Sequence, residues 1–155
     1  METSVVIRTR DKERYFDPLL ESLASQTIQA SELIIVDNFS SQEKRQSLKS
    51  DLIEKVRSGF WKGKVSVKLV NLSDDEFSHA YSTNVGVAAA ENQLVCITNA
   101  HSLPSSRHWL QKGTKHFADR NVVGVSGFFI PHQEGTAIRS EEHTSEPPVT
   151  LESRM

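Results

Sequence analysis

The sequence has few of the features that mark several large protein classes. Its 155 residues include only one cysteine, seven glycines and five prolines. Because Cys96 stands alone, an internal disulfide and a cysteine-based zinc framework are both excluded, and its apolar surroundings favour a small buried core residue. No apolar run approaches the ~20 residues that a membrane-spanning helix needs. The first residues, METSVVIRTRDKE, do not resemble a signal peptide, so we expect a cytoplasmic protein.

An excess of charge of one sign is also absent. The chain carries 18 basic and 20 acidic residues, for a net charge of -2. Nucleic acids and anionic membranes recruit proteins with basic surfaces, and the chain has no such basic excess, so we expect no nucleic acid as a partner. Hydrophobic residues make up 37% of the chain, which is enough for one domain with a core of its own.

Glycine is missing where two common phosphate-binding loops would need it. The segment RTRDKE, which follows the first apolar run, contains none, so neither a dinucleotide-binding loop nor a P-loop is present there. The G-x-S-x-G pattern of a nucleophile elbow does not occur either. Hydride transfer, P-loop phosphoryl transfer and α/β-hydrolase chemistry therefore lose support.

The chain does contain an alternation of β-rich runs and helical stripes. We predict five strands, at Ser4–Thr9, Leu33–Asn38, Val65–Val70, Leu94–Thr98 and Val122–Ile130. Four helices are expected between or after them. They are the stripe Phe16, Leu19, Leu20 and Leu23, the stripe Leu48, Leu52 and Val56, the segment His79–Asn92 with Gly86 as a weak point, and the segment Ser105–Phe117 with a serine cap.

This alternation predicts an α/β fold with an open, mostly parallel sheet and helices on both faces. Ligands of such sheets bind at the carboxyl ends of the strands. The candidate site residues are therefore Thr9 and Arg10, Asp37, and the stretch from Asn99 to His101. The fourth strand is unusual because it ends in an amide and an imidazole rather than in carboxylates.

Several of these segments together resemble glycosyltransferase family 2. The matching residues are SVVIRTRDKERYFDPLLESLASQT at 4–27, ELIIVDNFSS at 32–41, STNVGVAAAENQLVCITNAHSLP at 82–104 and HWL at 108–110. The resemblance implies the nucleotide-sugar-binding part of a GT-A fold, cut short after about the fifth strand. It implies a parent enzyme that transfers a sugar, with inversion, from a nucleoside-diphosphate sugar to an acceptor hydroxyl.

The resemblance also implies roles for the nucleotide-binding residues. Asp37 would accept a hydrogen bond from a nucleobase, although a helix N-cap is the alternative. Thr9 would contact the base or the ribose, and Asn99 a ribose hydroxyl. Arg10 would lie near the diphosphate or be an ordinary surface arginine, and Glu13 would match an acidic family position or be a first-turn helix charge.

The family's Asp-x-Asp motif is replaced here by Asn99-Ala100-His101. In the family those carboxylates hold a divalent metal ion at the diphosphate. His101 is a possible ligand that favours Mn²⁺ over Mg²⁺, and a metal-free loop histidine is the alternative. The family's general base comes from a region after the fifth strand, so we assign no catalytic residue.

The last residues, RSEEHTSEPPVTLESRM, differ in character from the rest. Residues 139–146 resemble a translated sequencing adapter, and a polar disordered tail is the alternative. We therefore expect a binding region at 1–138 and a non-native or disordered tail at 139–155.

As it stands, the fragment is expected to be inactive. A polysaccharide or glycolipid acceptor at the inner membrane face is the family expectation. The alternatives to a transferase are a non-catalytic nucleotide-binding module and a nucleotidyltransferase.

Overall fold

A computed structural model of the chain describes residues 2–38, 40–73, 75 and 78–130. Within these residues strands and helices alternate. The elements are β1 (Thr3–Thr9), α1 (Phe16–Ala24), β2 (Glu32–Asn38), α2 (Gln42–Arg57), β3 (Ser66–Leu72), α3 (His79–Ala88), β4 (Leu94–Asn99) and α4 (Trp109–Thr114), with a short 3-10 helix at Lys115–Ala118. All of them belong to the first of two units, which ends at Val122.

The four strands form one sheet in the order β3-β2-β1-β4, and every neighbouring pair is parallel. Parallel neighbours need long crossover connections, which α1, α2 and α3 supply. The prediction of an open parallel α/β sheet is therefore confirmed. Among the described residues, no helix is both long enough and apolar enough to cross a membrane.

The alternation of side chains along β1 and β2 divides the core into two layers. Val5, Ile7, Leu33 and Ile35 pack on one face against α1, α2 and α4. On the other face Val6, Ile34 and Val36 pack near residues of α3 such as Val85. Both central strands are thus covered on both faces, which explains why neither shows an alternating sequence pattern.

The two predicted amphipathic stripes are mostly confirmed. All four residues of the first stripe are buried on α1. On α2, Leu48 and Leu52 are buried, but Val56 is 47% exposed because the last turn of the helix extends beyond the core.

The predicted fifth strand is wrong. Residues 122–130 have no regular secondary structure, and the sheet of the described residues has four strands. β-rich composition cannot make a strand without a neighbour to accept and donate the ladder hydrogen bonds. Gly124 and Gly127 weaken the segment further.

The predicted bounds of two helices are also wrong. α3 ends at Ala88 rather than Asn92, because the backbone N–H of Glu91 donates to Glu32 instead of continuing the helix. The last predicted helix starts at Trp109, not at Ser105, and has no serine cap. The carbonyl of Ser106 accepts from the Gln26 amide, which holds this segment out of the helix.

Candidate functional site at the carboxyl edge of the sheet

The strand register brings the polar residues at the carboxyl ends together. Thr9 pairs with Asp37, and Arg8 pairs with Asn99 on the other side of β1. The backbone N–H of Ala100 donates to the Arg8 carbonyl at 2.9 Å, which extends the ladder one residue past β4. The predicted candidates therefore do gather at one edge, hereafter the carboxyl edge.

The loop between β1 and α1 is held in an unusual conformation at this edge. Asp11 and Lys12 have φ values of +54° and +51°, in the left-handed region that non-glycine residues rarely adopt. The Ser40 hydroxyl accepts from the Asp11 N–H at 2.7 Å, and Lys12 Nζ lies 2.6 Å from Asp51 and 3.1 Å from Asp17. The Asp51 hydrogen bond is the main cause that raises the pKa of Lys12. Strain of this kind persists only where the surroundings impose it.

Asp37 lies at the end of β2 and is completely buried. Its carboxylate accepts a hydrogen bond from the Ser40 hydroxyl, and its Oδ2 atom lies 3.2 Å from Nε of Arg45. The N-cap of α2 is Ser41, which accepts from the Lys44 N–H, so Asp37 is not the helix cap. Through Ser40, Asp37 also supports the backbone of the strained loop.

Thr9 and Arg10 have contrasting surroundings. Thr9 is 1% exposed, and its hydroxyl makes no hydrogen bond to the residues that the structure describes. Arg10 is exposed. Thr9 is therefore buried beneath the carboxyl edge, and Arg10 lies at its surface.

Glu13 and His101 form a pair across the edge. His101 Nδ1 lies 3.0 Å from Glu13 Oε2, and the two side chains are 60% and 35% exposed. Glu13 precedes α1, whose first-turn acid is Asp17, so Glu13 is not a first-turn helix charge. Two residues 88 positions apart in sequence thus meet at the place expected for the diphosphate.

Comparisons with known proteins show the family and the fold of the chain. The family model for glycosyl transferase family 2 matches residues 4–154. The chain belongs to this family. A comparison with curated proteins finds no significant match.

Solved structures give the same fold. S. aureus TarS 1-349 matches with a TM-score of 0.59 and 24% identity, covering 83% of this chain and 39% of that one. Its complex with UDP-GlcNAc matches at 0.58 and 25% identity (85% and 37% covered), and its complex with UDP at 0.57 and 24% (85% and 38% covered). The chain therefore has the GT-A, Rossmann-like fold and spans less than two fifths of these chains.

Arg8 is a residue at the carboxyl edge that the sequence analysis missed. Its Nη2 donates to Oδ1 of Asn99, and its Nη1 donates to the carbonyl of His79 at 3.1 Å and lies 3.4 Å from the Nδ1 atom of that residue. Its Nε is buried and makes no hydrogen bond to the described residues. The signal in the sequence is a charged residue directly after the apolar run Val5–Ile7 of a central strand, where a charge needs a partner or a ligand.

Family 2 enzymes of the GT-A fold commonly use a divalent metal ion, but the residues at this edge do not fit one. Among the described residues, no three His, Cys, Asp or Glu side chains come together. The oxygen of Asn99, where the family has a carboxylate, is already bonded to the Arg8 guanidinium. The positive charge of the Arg8 guanidinium beside Asn99 opposes binding of a metal cation at the same place. The assignment of Mn²⁺ to His101 stays a prediction.

Proposed function

We propose that the chain is the donor-binding part of an inverting glycosyltransferase that uses a nucleoside-diphosphate sugar. The observation that carries the proposal is the carboxyl edge of a family 2 sheet, where Asp37, the strained loop and the Glu13–His101 pair come together. Ligands of open parallel sheets bind at this edge.

The nucleobase end of the proposed site is Asp37. A carboxylate is a strong acceptor for a base N–H group. Because Asp37 is fully buried beneath Ser40 and beside Arg45, a base reaches it only if the Ser40 hydroxyl turns aside. Otherwise Asp37 acts through Ser40, by fixing the loop at Asp11. Thr9 would contact the base or the ribose from its buried position at the end of β1.

The diphosphate end comprises Asn99, Arg10 and the Glu13–His101 pair. Asn99 would contact a ribose hydroxyl with its amide N–H group, since its oxygen is already bonded. Arg10 is exposed and would approach the phosphates from the loop.

In the proposed reaction, the bond between the sugar's C1 and the diphosphate oxygen breaks and its electron pair stays on that oxygen. The acceptor oxygen bonds to C1 from the opposite face, and its proton passes to a general base. We assign no residue as that base. An acceptor on a polysaccharide or glycolipid at the cytoplasmic face of a membrane remains part of the proposal.

The departure from the family motif at Asn99 favours a second candidate, a nucleotide-binding module that does not transfer sugar. A family carboxylate is replaced there by a neutral amide, which is a weaker metal ligand. Release of the nucleoside diphosphate from sugar donors, measured with and without acceptor extracts, separates the two. Turnover supports the transferase, and binding without turnover supports the module.

The test of the nucleotide site is calorimetry on the full chain with UDP, GDP, ADP, CDP and dTDP. We expect one of them to bind, and Asp37→Asn to weaken it by about tenfold, which corresponds to one charge-assisted hydrogen bond. Ser40→Ala distinguishes the two roles of Asp37. Affinity is kept if Asp37 contacts the base directly and is lost if it acts through Ser40.

Arg57→Met, at the exposed end of α2, is the control variant and should bind like the wild type. Failure of all five nucleotides to bind would overturn the proposed function.

A further inference from the structure

Arg8 carries a positive charge that the described part of the protein does not neutralise. Its hydrogen-bond partners there are the amide oxygen of Asn99, the backbone carbonyl of His79 and, at 3.4 Å, the Nδ1 atom of the His79 imidazole, and none of these groups carries a negative charge. The side chain is half-buried, and its Nε is fully shielded from water. A partly desolvated charge without a counter-ion is unfavourable unless an anion binds to it.

The position of Arg8 suits an anionic ligand at the carboxyl edge. It is the residue before the last of β1, in register with the last residue of β4. Its Nη1 is anchored at the first residue of α3, where the backbone dipoles favour negative charge. Its planar guanidinium matches phosphate oxygens in a bidentate geometry that a lysine cannot reproduce.

The uncharged amide of Asn99, which accepts a hydrogen bond from Arg8, explains why the family's Asp-x-Asp motif is altered at this position. An aspartate at that position would form an ion pair with Arg8 and cancel the charge available to a ligand. Asparagine keeps the same hydrogen bond and leaves the charge free. The arginine on β1 and the amide at the end of β4 are therefore chemically linked.

We propose that the Arg8 guanidinium, held by Asn99 and His79, binds the diphosphate of the donor. It supplies there the positive charge that a protein-bound divalent cation would otherwise supply. The inference rests on the proposed function and deepens it by naming how the site holds phosphate. It predicts nucleoside-diphosphate binding that persists when divalent metals are chelated.

The test is calorimetry on the full chain in EDTA and in Mn²⁺. The probes are the best-binding nucleoside diphosphate, its phosphate-free nucleoside and inorganic pyrophosphate. In EDTA we expect Arg8→Met to weaken the diphosphate and pyrophosphate by about tenfold or more and to leave the nucleoside unchanged. Arg8→Lys should lose less diphosphate affinity than Arg8→Met. Arg57→Met is the matched control.

Asn99→Asp is the second variant. It tests the proposal even if the Arg8→Met protein does not fold. It keeps the shape of the side chain and should lower diphosphate affinity in EDTA, with partial recovery in Mn²⁺. Thermal unfolding identifies any variant that fails to fold.

Each outcome bears on one proposal or on both. Wild-type diphosphate binding that requires Mn²⁺, or an unchanged ratio of diphosphate to nucleoside affinity in Arg8→Met and Asn99→Asp, would overturn the role of Arg8 and leave the nucleotide site intact. Pyrophosphate binding that depends on Arg8, with no nucleotide specificity, would support the phosphate role and overturn the donor site. No binding of pyrophosphate or of any nucleotide overturns both.

Discussion

Arg8 and Asn99 face each other across neighbouring strands, and the chemistry of each depends on the other. The sequence identifies Asn99 as a departure from the family motif, because the resemblance implies a carboxylate at the end of the fourth strand. It does not reveal the partner, because Arg8 lies 91 positions away and is adjacent only through the strand register. Conversely, Thr9 is correctly predicted at a strand end, although its hydroxyl points into the protein.

Glu32 shows how a buried charge is compensated at the opposite edge of the sheet. It is 2% exposed, and its carboxylate accepts from the Ser4 hydroxyl at 2.6 Å and from the Glu91 N–H at 3.0 Å. Lys68 Nζ lies 2.6 Å from its second oxygen. Burial by itself would raise the pKa of Glu32, but these hydrogen bonds together lower it below its ordinary value of 4.5.

We predict that Glu32 stabilises the fold at neutral pH and that this contribution disappears in acid. Because the folded-state pKa is depressed, the stabilisation is complete above the unfolded-state pKa and is lost as pH falls through the folded-state value. Glu32→Gln should lower the free energy of unfolding by roughly 1–3 kcal/mol at about pH 7. The difference from the wild type should shrink below about pH 4 in urea unfolding.

The control is Glu54→Gln, which removes an exposed carboxylate from α2. A wild-type advantage over Glu32→Gln that stays constant down to about pH 3 would contradict the assigned network.

At the scale of elements, α3 packs onto the sheet through a glycine. A Cβ atom at Gly86 would overlap Cγ1 of Val6 and lie 3.0 Å from Cγ2 of Val36. Both valines are fully buried on central strands and have restricted rotamers. By helix propensity alone Gly86 is a weak point of the helix, but in the structure it permits close packing between helix and sheet.

We predict that Gly86→Ala destabilises the protein although alanine is the better helix former. Overpacking costs about 1–3 kcal/mol, and the gain in helix propensity returns about 1 kcal/mol. The expected net loss is up to about 2 kcal/mol in the free energy of unfolding, measured with urea.

Gly113→Ala is the matched control, since Gly113 lies in α4 with no atom within 4 Å of the added methyl group. It should be neutral or slightly stabilising. Equal effects of the two substitutions would show that helix propensity, not packing, determines the role of Gly86.

The start of α4 is decided by another element. The Gln26 side chain, after α1, donates to the Ser106 carbonyl at 3.0 Å and accepts from the Leu110 N–H at 3.0 Å. The Thr27 N–H donates to the Arg107 carbonyl at 2.8 Å. The Gln-Thr pair that carries part of the family resemblance therefore docks α1 onto the start of α4.

At the scale of the whole molecule, the sequence predicts a division of the chain at Ile138. The family match includes residues 139–154, and the predicted division at Ile138 lies outside the described residues. It stays a prediction, as does the nature of the tail.

We predict that a chain ending at Ile138 folds like the full chain and binds nucleotide with the same affinity. All described elements and the carboxyl edge lie before Val122, so this truncation removes none of them. Urea unfolding and calorimetry check the expectation. A loss of cooperative unfolding, or a tenfold loss of affinity, would show that residues 139–155 belong to the domain.

The sequence by itself determined the fold class and predicted a site at the carboxyl ends of the strands. Buried parallel strands and amphipathic helices leave strong local patterns, and strand ends in such sheets are where ligands bind. Only the tertiary structure decided that residues 122–130 are not a strand, that α4 starts at Trp109, and that Arg8 meets Asn99. Each of these depends on contacts between residues far apart in sequence, and such contacts leave no local pattern in the chain.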